Sequence, residues 1–399
     1  MSASISLQAT APTQKCWGKS WLGVCANQSP ILIPGVALAF LVALLANSLA
    51  GILGDVVLRA QGVDPTGRAS PVSGIAVAVV LGLIVANLVR VPAIFGAGLQ
   101  FTMKSVLRAG IILVGFKLST LDVMKVGALG IPVVAAIVAF GLVTTLLLAR
   151  FAKLSDRLGS LAAASTAICG ITATVAVAPA IEAKDREVAY TVANVTLFGL
   201  IAMLAYPYVA HWLFPNQPGS AGLFLGTAIH ETSQVMGAAI SYKEVFGDER
   251  AAQIATVAKL TRNALLVAVV PILAWYHARR ATNPGTGKAR LSLARLFPLF
   301  VIGFLAASLL RSGGDWTLAH SGAAYNVLST SEWGVLVKTL GEKVAGLLLG
   351  TALAGVGLTT TLSVFKGLGL RPLFIGLAAA LLVGAASLLL AFSVGPLLA

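Results

Sequence analysis

Apolar runs of roughly twenty residues follow one another along almost the whole chain, separated by short charged or Gly/Pro-rich breaks. That is the spacing expected when each run crosses about 30 Å of hydrocarbon as a helix. The runs are 31–53, 72–90, 97–120, 130–151, 160–182, 188–213, 221–242, 251–277, 293–311, 334–361 and 371–397. The longest polar connections, near 54–71, 278–292 and 312–332, are loop-sized and leave no room for a soluble domain. The pattern predicts an all-α polytopic membrane protein with about nine to eleven transmembrane segments. Residues 1–30 read as a cytoplasmic N-terminal tail and residues 31–399 as a single transmembrane transporter domain.

Two runs depart from their neighbours. Segments 160–182 and 221–242 are rich in Gly, Ser, Thr and Ala where the others are rich in Leu, Val and Ile. They share Thr-Ala-Ile at 166–168 and 227–229, and the helices after them share Thr-Val-Ala, ending in Asn194 and Lys259 and leading to Pro207 and Pro271. A second pairing joins Val114-Gly115, Lys125, Gly127 and Pro132 to Val356-Gly357, Lys366, Gly367 and Pro372. The two ends of this second pair run in opposite directions, and inverted repeats of this kind are transporter architecture. The peculiar segments are two broken or re-entrant helices. Either choice preserves the parity of the remaining spans, and the charges favour hairpins.

Composition agrees with a bilayer: 58% of the 399 residues are hydrophobic and 11% charged, against about a quarter charged in soluble domains. The formal charge of +14, from 28 Lys and Arg against 14 Asp and Glu, punctuates apolar stretches and forms no stripe for nucleic acid. Its placement gives orientation, because short cytoplasmic loops retain basic residues. Arg279, Arg280, Lys288, Arg290 and Arg295 form one basic cluster, and Arg150, Lys153 and Arg157 a second. Both are expected inside, with the N-terminus cytoplasmic and the C-terminus periplasmic.

Candidate chemistry concentrates in the peculiar segments. Thr166, Ile168, Cys169, Gly170, Ile171 and Thr172 lie in the first, and Thr227, His230, Glu231, Thr232, Ser233 and Gln234 in the second. An ionisable group at mid-membrane costs roughly 2.5 kcal/mol or more, so the polar run from His230 to Gln234 needs a purpose. A broken helix exposes N-terminal N–H groups that bind anions, and unwound carbonyls that bind Na⁺. Tight packing through small residues is the plainer reading of the first segment. Lys259, Arg262 and Asn263 follow on the next helix and supply charge, with Glu231, Glu342 or a passing anion as counter-charge; snorkelling to the interface is their alternative role. Lys104 and Arg108, four residues apart, are expected near a span end and at the interface, as is Lys117. His-Glu-Thr-Ser-Gln lacks the second histidine of a zinc protease, and Gly285-Thr286-Gly287-Lys288 lacks the leading Gly and closing Ser/Thr of a phosphate loop. The three cysteines, Cys16, Cys25 and Cys169, form no metal or disulfide pattern. No enzyme activity, metal or cofactor is expected.

Ser-Thr-Ala-Ile-Cys-Gly-Ile-Thr-Ala at 165–173, Ile-His-Glu-Thr-Ser-Gln-Val at 229–235 and Lys-Leu-Thr-Arg-Asn at 259–263 resemble the YeiH-type sulfate exporter family of bacterial inner-membrane proteins. The resemblance extends from about residue 73 to the end. Through distant kinship with cation/proton antiporters and bile-acid symporters it implies inverted repeats, crossed broken helices, a mobile core against a scaffold, and a homodimer. Here a single span separates the two motif segments, which suggests a permuted repeat order. Sulfate enters with the family name. The expected activity is secondary transport of sulfate or a related sulfur oxyanion, with Glu231 and His230 as coupling residues. The alternative is a Na⁺- or H⁺-coupled carrier of an organic or sulfonated anion.

Overall fold

The computed structural model describes residues 29–61, 64–66, 70–89, 91–278, 299–361 and 371–398. The N-terminal tail up to residue 28, the basic loop residues Arg279 to Arg295, the Gly285–Lys288 run, Lys366 and Gly367 lie outside them. The described chain is helical almost throughout. In order come α1 (Ser29–Ala60), α2 (Gly74–Leu88), α3 (Ala93–Lys117) and α4 (Thr120–Phe151). A first pair of short helices follows, α5 (Asp156–Ala167) and α6 (Gly170–Ile181), and then the long α7 (Asp185–Leu213). A second pair, α8 (Pro218–Ala228) and α9 (Thr232–Phe246), precedes α10 (Glu249–Ala264) and α11 (Leu266–Ala278). The chain closes with α12 (Leu299–Ser321), α13 (Thr330–Thr359) and α14 (Arg371–Val394). Among the described residues seven stretches are long and apolar enough to cross a membrane: α1, α3, α4, α7, α10 with α11, α13, and α14 with its 3₁₀ extension.

The two short pairs are re-entrant hairpins. Ser155, which caps α5, donates to Glu187 Oε1 at 2.8 Å, and Oε2 of the same carboxylate accepts from Lys184 N at 3.0 Å. Ser155 opens the first hairpin and Lys184 follows its end, so both feet stand on one face of the bundle, here face I. At the opposite face, face II, Phe246 at the end of α9 stacks on His211 near the end of α7, with ring centroids 3.9 Å apart. The second hairpin thus enters and leaves beside the end of α7. Hairpin 1 plus α7, and hairpin 2 plus α10–α11, are therefore the same unit in opposite orientations. The paired elements are hairpins that meet end to end, where the family kinship implied crossed helices.

The other pairing is also inverted. Helix α3 runs toward face II, where Lys117 meets Glu249, and α13 runs back beside it, with a π-helical stretch in each, Thr102–Val106 and Thr339–Val344. Lys104 falls in the π stretch, well inside α3, and is exposed together with Arg108, whose guanidinium lies 6.0 Å from the Phe300 ring. This corrects the expected position at a span end. Three boundaries also differ from the apolar runs by seven residues or more, the first being α1, which continues to Ala60 into what reads as loop. Helix α4 begins at Thr120 and α12 continues to Ser321, because a helix does not stop where charge begins. In α12 the Arg311–Asp315 ion pair, 2.8 Å long and four residues apart, continues the helix through what reads as loop.

Small residues place the second hairpin. Gly222 and Gly226, four apart on α8, face Ala251, Ala255 and Ala258 of α10, close enough that a Cβ on Gly226 would stand 2.6 Å from Ala255 O and 2.8 Å from Ala258 Cβ. Gly226→Val should therefore push α8 off α10 at a cost of about 1–3 kcal/mol, the usual penalty of overpacking. The expected readout is a lower melting temperature of the purified chain; an unchanged melt would show that the arm can shift freely.

Candidate functional site

The hairpin tips meet in the interior. Helix α5 ends at Ala167 and the chain becomes extended at Cys169 (φ −144°, ψ 100°), while α8 ends at Ala228 and Glu231 is extended (φ −98°, ψ 141°). Each break leaves the last carbonyls of one half-helix and the first N–H groups of the next without helical partners. Gly170 N donates to His230 O at 3.3 Å, joining the two breaks directly. Glycine allows this close approach: a Cβ would lie 2.8 Å from Val195 Cγ1 and 3.0 Å from Glu231 Oε2, so both side chains would have to give way.

Two cations take the carbonyl ends. Lys259 and Arg262 are completely buried on α10. Lys259 Nζ donates to Ile168 O and Ile229 O, both at 3.0 Å, and to His230 O. Arg262 Nε donates to Ala167 O at 2.6 Å, Nη1 to Thr227 O at 2.7 Å and Ile229 O at 3.3 Å, and Nη2 to Thr166 O. Each cation thus bonds both hairpins. The C-terminal ends of α5 and α8 carry partial negative charge, so the pairing is favourable as well as geometrically complete. Snorkelling, the alternative role, does not occur for either residue.

The N-terminal ends are engaged across the gap. Glu231 Oε2 accepts from Ile171 N at 2.9 Å on the first turn of α6, and Cys169 Sγ lies 3.6 Å from the same oxygen. Cys169 Sγ also stands 3.0 Å from Thr232 Oγ1, which accepts from Asn263 Nδ2 at 3.0 Å. Gln234 Nε2 donates to Thr196 O on α7 at 3.0 Å. Three buried polar atoms near the tips have no hydrogen-bond partner among the described residues: His230 Nδ1, Gln234 Oε1 and Asn263 Oδ1. Ser233 is buried on the first turn of α9, and Thr227 Oγ1 donates back to Leu223 O at 2.6 Å. Thr172 stands apart from the others, with an exposed side chain.

A cleft approaches the tips from each face. From face I a narrow cleft runs between α5, α7 and α14 past Tyr190, Asn194, Ser165 and Thr166 to His230. From face II a second cleft runs between α3, α9, α10 and α13 down to Met236 and Thr256. Its walls carry an ion-pair lattice: Lys117 to Glu249 at 2.5 Å and to Glu342 at 3.8 Å, and Lys243 to Glu342 at 2.5 Å and to Glu249 at 3.5 Å.

Asn194 is absent from the residues singled out by composition. It lines the face I cleft and donates to Pro372 O at 3.0 Å. The shared Thr-Val-Ala already pairs it with Lys259, and that was the available signal. The carbonyls of Ala167 and Ile229 were not legible, since a backbone acceptor leaves no trace in residue type.

Paired re-entrant hairpins with buried charge at their tips, set among long apolar helices, define a polytopic helical membrane protein. The chain belongs to the family described as Conserved hypothetical protein 698, the YeiH/UPF0324 family, whose profile matches residues 34–376. Among its relatives, a UPF0324 membrane protein of Streptococcus agalactiae is 32% identical over 233 residues, 58% of this chain and 68% of that protein. Others from Fusobacterium nucleatum (28% over 306 residues; 76% and 86%) and Nitratidesulfovibrio vulgaris (31% over 316 residues; 78% and 81%) match over more of both chains. No solved structure matches the chain significantly.

Proposed function

We propose that the chain is a secondary transporter that exports a small inorganic anion, sulfate or a related sulfur oxyanion, across the bacterial inner membrane by alternating access. The observation that carries this reading is that the Glu231 carboxyl group accepts from the N-terminal N–H of α6, a place where an anion's oxygen can sit. Lys259 and Arg262 outnumber that carboxylate, so the junction stays electropositive although both cations are engaged by carbonyls. A substrate anion takes the place of the Glu231 carboxylate, which must be protonated or withdrawn for it to do so. Export of a dianion is driven outward by about 2.3 kcal/mol per charge per 100 mV of interior-negative potential. The clefts from the two faces give the alternate routes. Face I, where the first hairpin enters near Arg157, is the cytoplasmic face. The protein acts as a homodimeric carrier without cofactor, metal or catalytic step.

The test is purified chain in lipid vesicles, with binding and uptake of sulfate, sulfite, thiosulfate and short sulfonates measured while Na⁺ and pH vary. Uptake of a sulfur oxyanion that increases as pH falls is expected. If none of these anions binds or moves, the reading fails. Uptake of a sulfonate that needs a Na⁺ gradient would favour cation-coupled carriage of an organic anion instead.

A further inference from the structure

Carbonyl oxygens released by a broken helix are the groups with which many carriers bind a coupling Na⁺. At this junction the cluster of such oxygens contains a side chain. Ile168 O comes from hairpin 1, Ile229 O and His230 O from hairpin 2, and Lys259 Nζ lies within hydrogen-bonding distance of all three. An ammonium has three N–H donors, and these three acceptors use them all. The neighbouring oxygens of Thr166, Ala167 and Thr227 are taken by Arg262, whose Nη1 shares Ile229 O. Lys259 is completely buried, so no water competes for the cage. The equivalent place in the other repeat unit holds Asn194, which turns instead to Pro372 O. Only one of the two inverted units delivers a charge to the junction from this position.

We propose that the Lys259 ammonium is a built-in cation occupying a carbonyl cage that would otherwise require a bound monovalent cation, so that it ties the two hairpin tips together and makes the chain independent of Na⁺. The cage needs one positive charge of roughly this size and does not need it to be covalently attached. Truncating the side chain leaves the oxygens in place around an ammonium-sized hole, which a small cation fills. The proposal deepens the transport reading of the same site but is tested without any substrate.

The experiment compares melting of the purified full-length chain in detergent, in choline, sodium, potassium and methylammonium chlorides at one ionic strength. The native chain melts alike in all four. Lys259→Ala melts several degrees lower in choline and recovers most of that loss in sodium or methylammonium chloride. Lys259→Met, which fills the hole with an apolar end, stays low in every salt. Three results would overturn the proposal: a Lys259→Ala chain as stable as native in choline, one that is equally unstable in all four salts, or a native chain stabilised by Na⁺ over choline. The last needs no variant and holds even where Lys259→Ala does not fold. In vesicles, anion uptake by Lys259→Ala should require Na⁺ where native uptake does not. Native chain that carries no anion at all would sink the transport reading while leaving the melting result standing.

Discussion

Arg262→Ala is expected to yield little or no folded protein, and whatever is recovered should melt far below the native chain. The guanidinium bonds carbonyls at the ends of both α5 and α8, from Thr166 and Ala167 on one hairpin and Thr227 and Ile229 on the other. These oxygens lie at the last turns of α5 and α8, where no helical N–H follows to replace the donor, and each buried polar group left without a partner costs about 1–3 kcal/mol. Loss of one member from a buried charged network costs about 3–5 kcal/mol as a whole. Arg262→Lys should recover only part of this, because an ammonium is a point charge and cannot present a planar fork to acceptors spread over two helix ends. Size-exclusion chromatography followed by thermal melting checks both variants. An Arg262→Ala chain that elutes as a single species and melts like the native one would show that the tips are held by packing alone.

Glu231→Gln should change transport more than stability. Glutamine has the shape of glutamate and can still accept from Ile171 N, so the bridge between the tips is retained. What disappears is the negative charge that, on the proposed mechanism, competes with the substrate anion. On the proposed mechanism protonation of Glu231 removes the repulsion, so affinity is expected to rise as pH falls and to decline as pH rises. Without the carboxylate that slope vanishes, and affinity at alkaline pH should equal or exceed the native value at acid pH. A gain of about tenfold at alkaline pH corresponds to only 1.4 kcal/mol of removed repulsion, modest for two negative charges in a buried site. Sulfate binding across a pH series reads the effect. A native-like pH slope in Glu231→Gln would remove Glu231 from the coupling step.

The hairpins show how far residue patterns reach. Small and hydroxylated residues at 160–182 and 221–242 mark both segments as unlike ordinary spans, and their shared Thr-Ala-Ile marks them as related. Composition cannot tell a span from a hairpin, because both bury the same residues at the same depth. The decision lies in contacts such as Ser155 with Glu187 and Phe246 with His211, which bring the two ends of each segment to one face. Lys259 and Arg262 were recognisable as costly cations whose partners the sequence leaves open between Glu231, Glu342 and an anion. In the structure their hydrogen bonds go to main-chain oxygens, and Glu342 pairs instead with Lys117 and Lys243 at the far cleft.

The sequence by itself determined the membrane class, the helical architecture, the repeat relation and most of the side chains that gather at the hairpin tips. Each of these follows from local periodicity, from composition or from matching short motifs, and needs no knowledge of distant neighbours. Tertiary structure alone decided that the two breaks meet, that the carbonyl ends are closed by side chains 91 to 96 residues away from hairpin 1, and that Glu231 occupies the opposing helix end. The physical reason is that helix ends expose backbone groups common to every residue type. Which of them finds a donor or acceptor depends on how the chain folds back on itself.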